Sequence, residues 1–377
     1  MTILIVGAGF AGAVHARILA EAGCHVNVID KRSHVGGNAF DHVDDTGIRI
    51  HRYGPHLFHT SNAAVVDWLS RFTAWVPYEH KVRAKTADRF VPLPINRDTV
   101  ELVFDRSFAT EADLTEFLER IRVRKEVRNS ADYLHATIGE TLTDLLFRPY
   151  SRKMWGLDLE ELDASVVKRV APRLDRDDRY FAADRFQMMP TAGYTPLFEA
   201  MLDHPRISVS LDTAFDKAML ADAEACFNSM PIDEFFDFRY GALPYRSIRF
   251  HHRAAPRDTR DWAVTNYTDD SAFTRETHWY VIPLHDDKSS TEVTITVEEP
   301  CDYRDNDLER YYPVKDADGA YREAYLKYTA LADAEPDLTF IGRCGTYAYL
   351  DMDQVVNQSL AGARRWLVGP GHGRDGR

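Results

Sequence analysis

Short apolar runs and a helical repeat alternate along residues 3–31 of the chain. The run ILIVG at residues 3–7 predicts a buried strand, AVHARILAEAG predicts a helix, and HVNVIDK predicts a second strand. In the predicted helix Val14, Ile18 and Leu19 share one face, and Gly23 ends it. Strand, helix and strand in this order predict a βαβ unit.

Two other patterns of apolar and polar residues follow along the chain. From residue 96 to 163, DLTEFLERIRV and LHATIGETLTDLLFRPY carry apolar residues at i, i+3 and i+4, which predicts a helical lobe. From residue 232 to 297, SIRFHHR, WYVIPL and STEVTITV are typical of strands, with the turn HDDKSS between them, so this region predicts an antiparallel sheet. The C-terminal stretch returns to strand, loop and helix, and we expect it to rejoin the first domain.

Length, charge and cysteine usage narrow the class of protein. A chain of 377 residues predicts two or three lobes. The formal net charge of −13, without a compensating basic tract, argues against a nucleic-acid partner. The four cysteines have no disulfide or metal-site spacing, so free thiols in a reducing cytoplasm are expected. No signal peptide is recognisable, and no run approaches the ~20 apolar residues of a transmembrane helix. We therefore expect a cytoplasmic protein without a membrane segment.

A glycine motif lies between the first predicted strand and helix. Gly7, Gly9 and Gly12 form G-x-G-x-x-G, which allows a tight turn, close approach of the backbone to a pyrophosphate, and close packing of helix on strand. Asp30 ends the second predicted strand, where a carboxylate can bind the ribose hydroxyls of an adenosine. The context therefore predicts a dinucleotide site.

The next segment, DKRSHVGGNAF, decides between the two common dinucleotides. Arg32 followed by Gly36 and Gly37 resembles the R-x-x-x-G-G segment of the flavoproteins that include glutathione reductase and amine oxidases. In those proteins the segment continues along the FAD diphosphate, and an NAD dehydrogenase has no use for it. The resemblance favours FAD over NAD as the bound cofactor.

The stretch HRYGPHLFHT places His56 and His59 three residues apart, just after Gly54 and Pro55. A zinc site would need further ligands at a recognisable spacing, and none is evident nearby. Core or surface histidines are a reasonable default. A histidine that faces the cofactor is the third alternative, because the stretch follows the flavin segment.

Several motifs taken together carry a more specific resemblance. They are ILIVGAGFAGAV, GGNAFD, YGPHLFHT, VPLPIN, DDRYF, MPTAGYT and GTYAYLDMD. In this order, and over nearly the whole chain, they resemble the bacterial type of UDP-galactopyranose mutase. The resemblance implies an FAD enzyme, active when its flavin is reduced, that interconverts UDP-galactopyranose and UDP-galactofuranose. In that family N5 of the reduced flavin attacks the anomeric carbon while UDP leaves and later returns.

The same resemblance assigns residues by position in this sequence. Arg173 and Arg275 match the two essential arginines that bind the diphosphate, and His59 matches the residue beside the flavin. Matches around the uridine, sugar and diphosphate are Phe147, Tyr150, Trp155, Asn266, Tyr312, Tyr349 and Glu298, with Glu299 an alternative to Glu298. The cofactor-binding set is Gly7, Gly9, Phe10, Gly12, Asp30, Lys31, Gly37, Asn38, His56, Arg343, Asp351 and Met352. Tyr347 also matches a family position.

Some of these residues have ordinary structural readings as well. Tyr150 and Trp155 are suited to uracil stacking, but in isolation such residues are more often core aromatics, and only the family match favours the stacking role. A guanidinium fork suits phosphate oxygens, although a lone arginine is usually a solvated charge. Asp351 opens a predicted helix, so it is also expected to cap that helix. His80 stands where some family members carry Asn.

The fold expected from these observations is α/β. It combines a Rossmann-like FAD-binding domain with an inserted helical lobe and an antiparallel β-sheet domain. The discontinuous FAD-binding domain is assigned to residues 1–62, 192–232 and 333–370, and the helical lobe to 96–163. The sheet and substrate domain takes 63–95, 164–191 and 233–332. A homodimer, a reductant such as NAD(P)H and a role in cell-wall polysaccharide synthesis follow from the resemblance alone.

Two other function classes share part of this evidence. A flavin oxidoreductase of the amine-oxidase type has the first two motifs but would use an aromatic cage in place of paired arginines. A flavin-binding sensor or an inactive relative would bind nucleotide without turnover.

Overall fold

The computed structural model describes residues 1–87, 89–168, 172–283, 285 and 291–369. Its strands are β1 (Thr2–Val6), β2 (His25–Ile29), β3 (Asp41–Val43), β4 (Arg49–His51), β5 (Phe58–Thr60), β6 (Trp75–Pro77), β7 (Val82–Lys85), β8 (Phe90–Leu93), β9 (Phe186–Pro190), β10 (Ile207–Ser210), β11 (Ala225–Asn228), β12 (Tyr245–Pro256), β13 (Val264–Tyr267), β14 (Arg275–His278), β15 (Glu292–Asp302), β16 (Tyr312–Pro313) and β17 (Leu338–Phe340). Its helices are α1 (Phe10–Glu21), α2 (Ala63–Leu69), α3 (Arg97–Phe104), α4 (Glu111–Ile121), α5 (Ser130–Leu142), α6 (Arg148–Trp155), α7 (Tyr194–Leu202), α8 (Ile232–Phe235), α9 (Ala320–Ala332), α10 (Gly342–Gly345) and α11 (Met352–Val368). Pro370 and most of the predicted turn 285–290 lie outside the described residues.

The first sheet is parallel throughout and has the strand order β10-β2-β1-β11-β17. Its central strand is buried from Ile3 to Val6, because α1 covers one face and a second apolar cluster covers the other. The βαβ unit predicted from the sequence is present as β1, α1 and β2. Strands from the N-terminal, middle and C-terminal parts of the chain meet here, as expected for a discontinuous domain; its exact boundaries stay a prediction.

The region predicted to be helical holds α3 to α6, with a π-helical turn at Thr143–Phe147 between α5 and α6. Each of the first three helices begins at a side chain that accepts a hydrogen bond from the N3 backbone N–H. These caps are Asn96, Thr110 and Asn129. α6 has Pro at its first turn and Gly156 in the left-handed region at its end, so both ends of this short helix are set by sequence.

The largest sheet has seven strands in the order β16-β12-β15-β14-β13-β7-β8. All of its pairings are antiparallel except that between β7 and β13. The antiparallel sheet predicted for residues 232–297 is therefore present, and the one parallel pairing joins it to β7. β7 and β13 are separated in sequence by the helical lobe, and such a long connection permits parallel pairing.

A small three-stranded sheet of order β5-β9-β6 carries His59 on β5. Thr60 on the same strand donates a hydrogen bond to Asp353 in α11, at 2.8 Å. The strand that presents the histidine is thus fixed to the C-terminal helix. Among the described helices, none combines the length and the apolar character needed to cross a membrane.

Candidate active site

The glycine turn between β1 and α1 has no room for a side chain at Gly7 or at Gly12. Gly7 has φ of +101°, and a methyl group there would lie 2.0 Å from Ser229 Oγ. A methyl group at Gly12 would lie 1.8 Å from the Gly7 carbonyl oxygen. Helix and strand therefore pack backbone to backbone at the N-terminus of α1, where a dinucleotide pyrophosphate is favoured.

The second glycine segment lies directly against the first. A methyl group at Gly37 would lie 3.0 Å from Gly9 Cα, and the Gly36 N–H donates to the Ala8 carbonyl at 2.9 Å. We call residues 7–12 and 36–38 the glycine cradle. Phe10 contributes only its backbone to the cradle, because its ring packs in the core against Phe198 at 4.6 Å.

Asp30 binds backbone N–H groups of the cradle and of the residues next to it. Its Oδ2 accepts a hydrogen bond from the Ala8 N–H at 2.8 Å, and its Oδ1 accepts one from the Arg32 N–H at 2.9 Å. Each oxygen keeps a further lone pair, so the predicted ribose contact is compatible with this arrangement. The carboxylate is buried, with 8% exposure. Its position therefore depends on the same backbone that would approach the pyrophosphate.

The neighbouring residues form a charged cluster at the edge of the cradle. Arg32 donates to Asn38 Oδ1 at 2.9 Å, pairs with Glu309, and lies over the Tyr53 ring at 4.2 Å. The predicted cofactor residue Lys31 also lies beside Glu309, with Nζ 3.2 Å from the carboxylate. Sequence reasoning did not identify Tyr53 or Glu309, because Glu309 is brought to this place only by the fold.

His56 is held in the neutral form by its surroundings. Its backbone N–H donates to His51 Nδ1 at 3.0 Å, and its own Nδ1 lies 2.9 Å from the Gly54 carbonyl. Burial lowers the pKa of His56 to about 3, and the nearby His51, Arg343 and Arg275 act in the same direction. Gly54 has φ of +82°, and a methyl group there would lie 3.1 Å from Glu298 Oε1.

His59 lies in a stack of rings. Its Nδ1 is 2.7 Å from Asp184 Oδ2, and its ring is nearly parallel to that of Phe181, with centroids 3.5 Å apart at 9°. His80 lies on Phe181 as well, at 6.1 Å. Burial lowers the pKa of His80 to about 3, with Arg275 and His59 contributing. The described residues contain no group of three or more His, Cys, Asp or Glu side chains that could hold a metal ion.

A polar row crosses three strands of the large sheet. Asn266 on β13 is paired with Arg275 on β14, which is paired with Glu298 on β15. Directly paired residues in antiparallel strands present side chains on the same face. We call Asn266, Arg275 and Glu298 the arginine row.

Arg275 is the centre of this row. Its Nε lies 3.0 Å from Glu298 Oε2, and its Nη2 donates to the Tyr150 hydroxyl at 3.1 Å. Burial alone would lower the pKa of Arg275, but Glu298 and three neighbouring phenols raise it well above its usual value, so the guanidinium stays charged. Glu298 Oε1 is buried and accepts no hydrogen bond from the described residues.

The alternative glutamate is excluded from this face. Glu299 pairs with Arg249 at 3.2 Å and with His251 at 2.8 Å. Successive residues of a strand point to opposite faces, so Glu299 is directed away from Arg275. Glu298 is therefore the glutamate of the row.

Three tyrosines lie near Arg275 and Trp155 packs on two of them, and we call Tyr150, Trp155, Tyr312 and Tyr349 the aromatic patch. The Tyr312 and Tyr349 rings are stacked at 5.5 Å and 17°, and Trp155 meets both by its edge, at 6.2 and 6.4 Å. Burial raises the pKa of Tyr312 to about 12. The phenol is therefore neutral and able to donate a hydrogen bond at neutral pH.

Arg343 connects the aromatic patch to the glycine cradle. Its guanidinium lies 5.2 Å from the Tyr312 ring centre and 5.1 Å from that of Tyr349. Its Nη2 donates to the Leu350 carbonyl at 2.6 Å. The preceding Gly342 packs so closely on α1 that a methyl group there would lie 3.0 Å from Ala11 Cβ.

Other predicted residues lie at the margin of this arrangement. Phe147 and Met352 are half-buried and pack on the main core. Asp351 forms a capping box with Gln354 at the start of α11, so its expected capping role is present. Tyr347 lies in a separate core cluster, where its hydroxyl contacts the Pro244 and Val314 carbonyls at 2.9 and 2.8 Å.

Arg173 is not part of the arginine row. Its guanidinium donates to the carbonyls of Asp177 at 3.2 Å, Arg179 at 2.5 Å and Tyr180 at 3.2 Å. All three acceptors belong to its own segment, which packs on His80 through a hydrogen bond from the Tyr180 N–H to the His80 carbonyl. Its role at the diphosphate stays a prediction.

Sequence reasoning missed three side chains of this region. Phe181 and Asp184 contact His59, and Arg246 donates to the carbonyls of Met154 and Lys153 at 3.0 and 3.1 Å. Arg246 thereby holds the C-terminal turn of α6, which carries Trp155, against the large sheet. None of these contacts has a local sequence signal, because the partners are distant along the chain.

Comparisons with known proteins agree with this geometry. The profile of a family described as UDP-galactopyranose mutase matches residues 145–349, and one described as NAD(P)-binding Rossmann-like domain matches residues 5–72. A probable UDP-galactopyranose mutase of Klebsiella pneumoniae is 37% identical over 375 residues, which is 97% of this chain and 94% of that protein. The chain belongs to the UDP-galactopyranose mutase family.

One relative of this chain is named for a different substrate. A dTDP-fucopyranose mutase of Escherichia coli is 34% identical over 97% of this chain and 98% of its own length. A crystal structure of reduced UDP-galactopyranose mutase has a TM-score of 0.74 at 17% identity and covers 97% of this chain and 95% of its own. The family resemblance and the Rossmann-like mixed α/β fold predicted from the sequence are thus confirmed.

Proposed function

We propose that this chain is a flavin-dependent isomerase that interconverts UDP-galactopyranose and UDP-galactofuranose, with FAD as its cofactor. The observation that carries the proposal is the convergence of a buried, charged Arg275 with four aromatic residues beside the glycine cradle. A cation and flat rings are what a uridine diphosphate requires. The family membership of the chain supports the same substrate class.

The cradle fits the diphosphate of FAD. Gly9 and Gly37 face each other without side chains, so a pyrophosphate could approach both backbones at the N-terminus of α1. Asp30 and Asn38 would hold the ribose and the connecting segment, while His56 and Arg343 would face the flavin side. When bound and reduced, the flavin would supply an electron-rich N5 able to attack the anomeric carbon.

The remaining groups of the chain would hold the nucleotide sugar. Arg275 would bind the diphosphate with its planar fork and stabilise the charge of UDP as it departs. Tyr312 and Tyr349 would donate hydrogen bonds to phosphate oxygens without adding charge. Trp155, Tyr150 and Phe147 would form the uridine side, and the unpartnered Oε1 of Glu298 would accept from a sugar hydroxyl. We assign Asn266 to the sugar side and His59 to the proton exchange beside the flavin.

Arg173 would join the diphosphate from its own segment. Its guanidinium now donates to three carbonyls of that segment, so it would have to exchange those bonds for phosphate oxygens. The closed arrangement of this segment against His80 is compatible with a lid over the site.

The reductant, the oligomeric state and the biological role are proposed from the family alone, and the location from the composition of the chain. We propose that NAD(P)H or a similar reductant supplies electrons to the flavin, and that the chain works as a homodimer in the cytoplasm. The galactofuranose would serve cell-wall polysaccharide synthesis.

The E. coli relative makes a second substrate pair a specific alternative. A dTDP-fucopyranose would place a methyl group on the base and another on the sugar at the positions where UDP-galactose has hydrogen and hydroxymethyl. The 37% and 34% identities of the two relatives do not separate these substrates. The test must therefore include both.

The experiment uses the purified holoprotein, reduced under anaerobic conditions. UDP-galactofuranose is added to one sample and dTDP-fucofuranose to another, and the sugar nucleotides are separated by chromatography. The proposal predicts conversion of UDP-galactofuranose to its pyranose, little change in the dTDP sugar, and no turnover with oxidised flavin.

Two results would overturn the proposal. Faster turnover of the dTDP sugar would assign the chain to the alternative substrate. In a separate aerobic assay with an amine substrate, consumption of oxygen by a chain that forms no pyranose would instead assign it to the amine-oxidase type.

A further inference from the structure

His59 has a partner that fixes which of its nitrogens can exchange a proton. Its Nδ1 lies 2.7 Å from Asp184 Oδ2. An ionised carboxylate only accepts hydrogen bonds, so Nδ1 carries the hydrogen in both the neutral and the charged imidazole. The nitrogen that gains or loses a proton is then Nε2, on the side of the ring away from Asp184.

The ring orientation is fixed as well. Phe181 lies parallel to the imidazole at 3.5 Å and fixes the plane of the ring, and the contact with Asp184 selects between the two orientations that differ by a half-turn about χ2. Asp184 is itself held, because Ser61 Oγ donates to its Oδ1 at 3.3 Å and accepts from the Arg185 N–H at 3.1 Å. β5 pairs with β9, and this pairing places His59 opposite Gln187. It therefore sets the distance between His59 and Asp184, which lies three residues before Gln187.

The contacts of Asp184 differ from those of an aspartate with a purely structural role. The side chains of His59 and Asp184 are 15% and 29% exposed, so both keep some contact with solvent. The partners that would be expected of a purely structural aspartate, a helix cap or an arginine, are absent from the hydrogen bonds of Asp184 in the described residues.

We propose that Asp184 is a positioning residue for His59. It holds the imidazole in the Nδ1–H form and presents Nε2 as the one nitrogen that exchanges a proton at the reacting centre. The catalytic part of this inference rests on the proposed function, whereas the tautomer part does not.

A consequence concerns Arg173. Asp184 and Phe181 belong to the same stretch of chain, residues 173–185, as the carbonyls that hold the Arg173 guanidinium. Any movement that releases Arg173 by shifting this stretch also withdraws the partner of His59. The proton-exchanging nitrogen is therefore set only when the stretch lies against β5.

The first readout is the tautomer itself, measured without substrate or flavin. Protein labelled with ¹⁵N-histidine gives imidazole nitrogen shifts from long-range ¹H–¹⁵N correlation, and His59→Gln assigns the His59 signals. The wild type is expected to be in the Nδ1–H form when neutral. Asp184→Asn is expected to bring in the Nε2–H form, and Asp184→Glu to restore Nδ1–H.

The second readout is turnover of the flavin-loaded enzyme. Asp184→Asn is expected to lower kcat by roughly 10- to 100-fold with KM changed less than about threefold, and Asp184→Glu to recover part of the loss. Asp67→Asn is the matched control, since Asp67 is an exposed carboxylate on α2. It should leave both readouts unchanged.

The two readouts distinguish failure of the tautomer inference, failure of its catalytic part and failure of the proposed function. Nε2–H in wild type, or an unchanged tautomer in Asp184→Asn, overturns the inference, and the wild-type spectrum decides this even if the variant fails to fold. A changed tautomer with unchanged kcat removes the catalytic part. If the wild type has no mutase activity, the proposed function fails while the tautomer still tests the role of Asp184.

Discussion

The glycine cradle and the arginine row lie next to each other but are built in opposite ways. The cradle consists of backbone atoms from two short segments, and a methyl group added at Gly7 or Gly12 collides with neighbouring atoms. The row and its aromatic patch consist of side chains from β13, β14, β15, β16 and α6, and each depends on partners from other elements. A backbone site is specified by a local motif, whereas a side-chain site requires the whole fold.

The cradle and the arginine row also differ in the positive charge that they offer to a diphosphate. The cradle offers N–H groups and a helix N-terminus, which can bind a diphosphate that stays in place. The row offers a full positive charge beside a buried glutamate. Such a charge suits a diphosphate that must be held more strongly when it leaves the sugar.

The largest expected effect comes from filling the cradle. Gly12→Ala would put a methyl carbon 1.8 Å from a backbone oxygen, which neither helix nor strand can relieve cheaply. We expect the free energy of unfolding to fall by more than about 3 kcal/mol and flavin to be lost. Thermal unfolding and the flavin absorbance of the purified protein measure both.

Gly9→Ala is the matched control for that substitution. Its methyl carbon would lie 3.6 Å from Gly37 Cα, an ordinary contact, but would occupy the space between the two glycine segments. The protein should fold with near-normal stability and bind flavin about 10- to 100-fold more weakly. Normal flavin affinity in this variant would contradict the assignment of the cradle.

In the arginine row, Arg275→Lys keeps the charge and removes the planar fork. We expect kcat/KM for UDP-galactofuranose to fall about 100- to 1,000-fold, while flavin affinity stays within about threefold of wild type. Steady-state kinetics and flavin titration on the same preparation measure the two values. Near-normal turnover would refute the argument from fork geometry.

Arg343 should affect both regions, because it contacts the patch and follows the residue packed on α1. Arg343→Met removes two charged hydrogen bonds, to the Tyr311 and Leu350 carbonyls, and two cation–π contacts. We expect the free energy of unfolding to fall by about 2 kcal/mol. Flavin affinity and UDP affinity should both weaken by about tenfold or more. An effect on UDP alone would show that the two regions are independent.

The smallest effect concerns acid stability on the cradle side. Burial lowers the pKa of His15 on α1 to about 4, although a hydrogen bond to the Ala11 carbonyl opposes the shift. Because the unfolded chain binds a proton near pH 6.5 and the folded one does not, this group costs stability as pH falls from about 6.5 to about 4.

His15→Gln removes that titration. The difference in unfolding free energy between wild type and variant should shrink by about 1 kcal/mol from pH 7 to pH 5.5. Denaturant unfolding at several pH values measures this difference. His25→Gln, at an exposed position of β2, should show no such change. Parallel pH curves for wild type and His15→Gln would mean that His15 is not kept neutral.

The difference between a local backbone motif and a site built from distant side chains also explains what could be predicted from the sequence. The cradle, the βαβ unit and the helical lobe follow from local motifs and periodicity. Arg275, Glu298 and the patch were found only through family resemblance, because no local pattern distinguishes a paired Arg275 from a solvated one. The resemblance also grouped Arg173 with Arg275, whereas the structure holds Arg173 on carbonyls of its own segment.

Contacts between distant polar residues were beyond prediction. Asp184 lies in a charged stretch whose members look alike in sequence, and only the pairing of β5 with β9 brings it to His59. The parallel pairing of β7 with β13 was missed for a related reason, since strand direction depends on the path of the intervening lobe.

The central claim is that this site breaks the bond between UDP and the anomeric carbon while Arg275 keeps UDP in place. Positional isotope exchange tests it directly, with ¹⁸O in the bridge between that carbon and the β-phosphorus of UDP-galactopyranose. For the reduced enzyme, ³¹P NMR should find the label spread to non-bridging positions at least as fast as furanose forms. Furanose that accumulates while the label stays in the bridge would contradict the account.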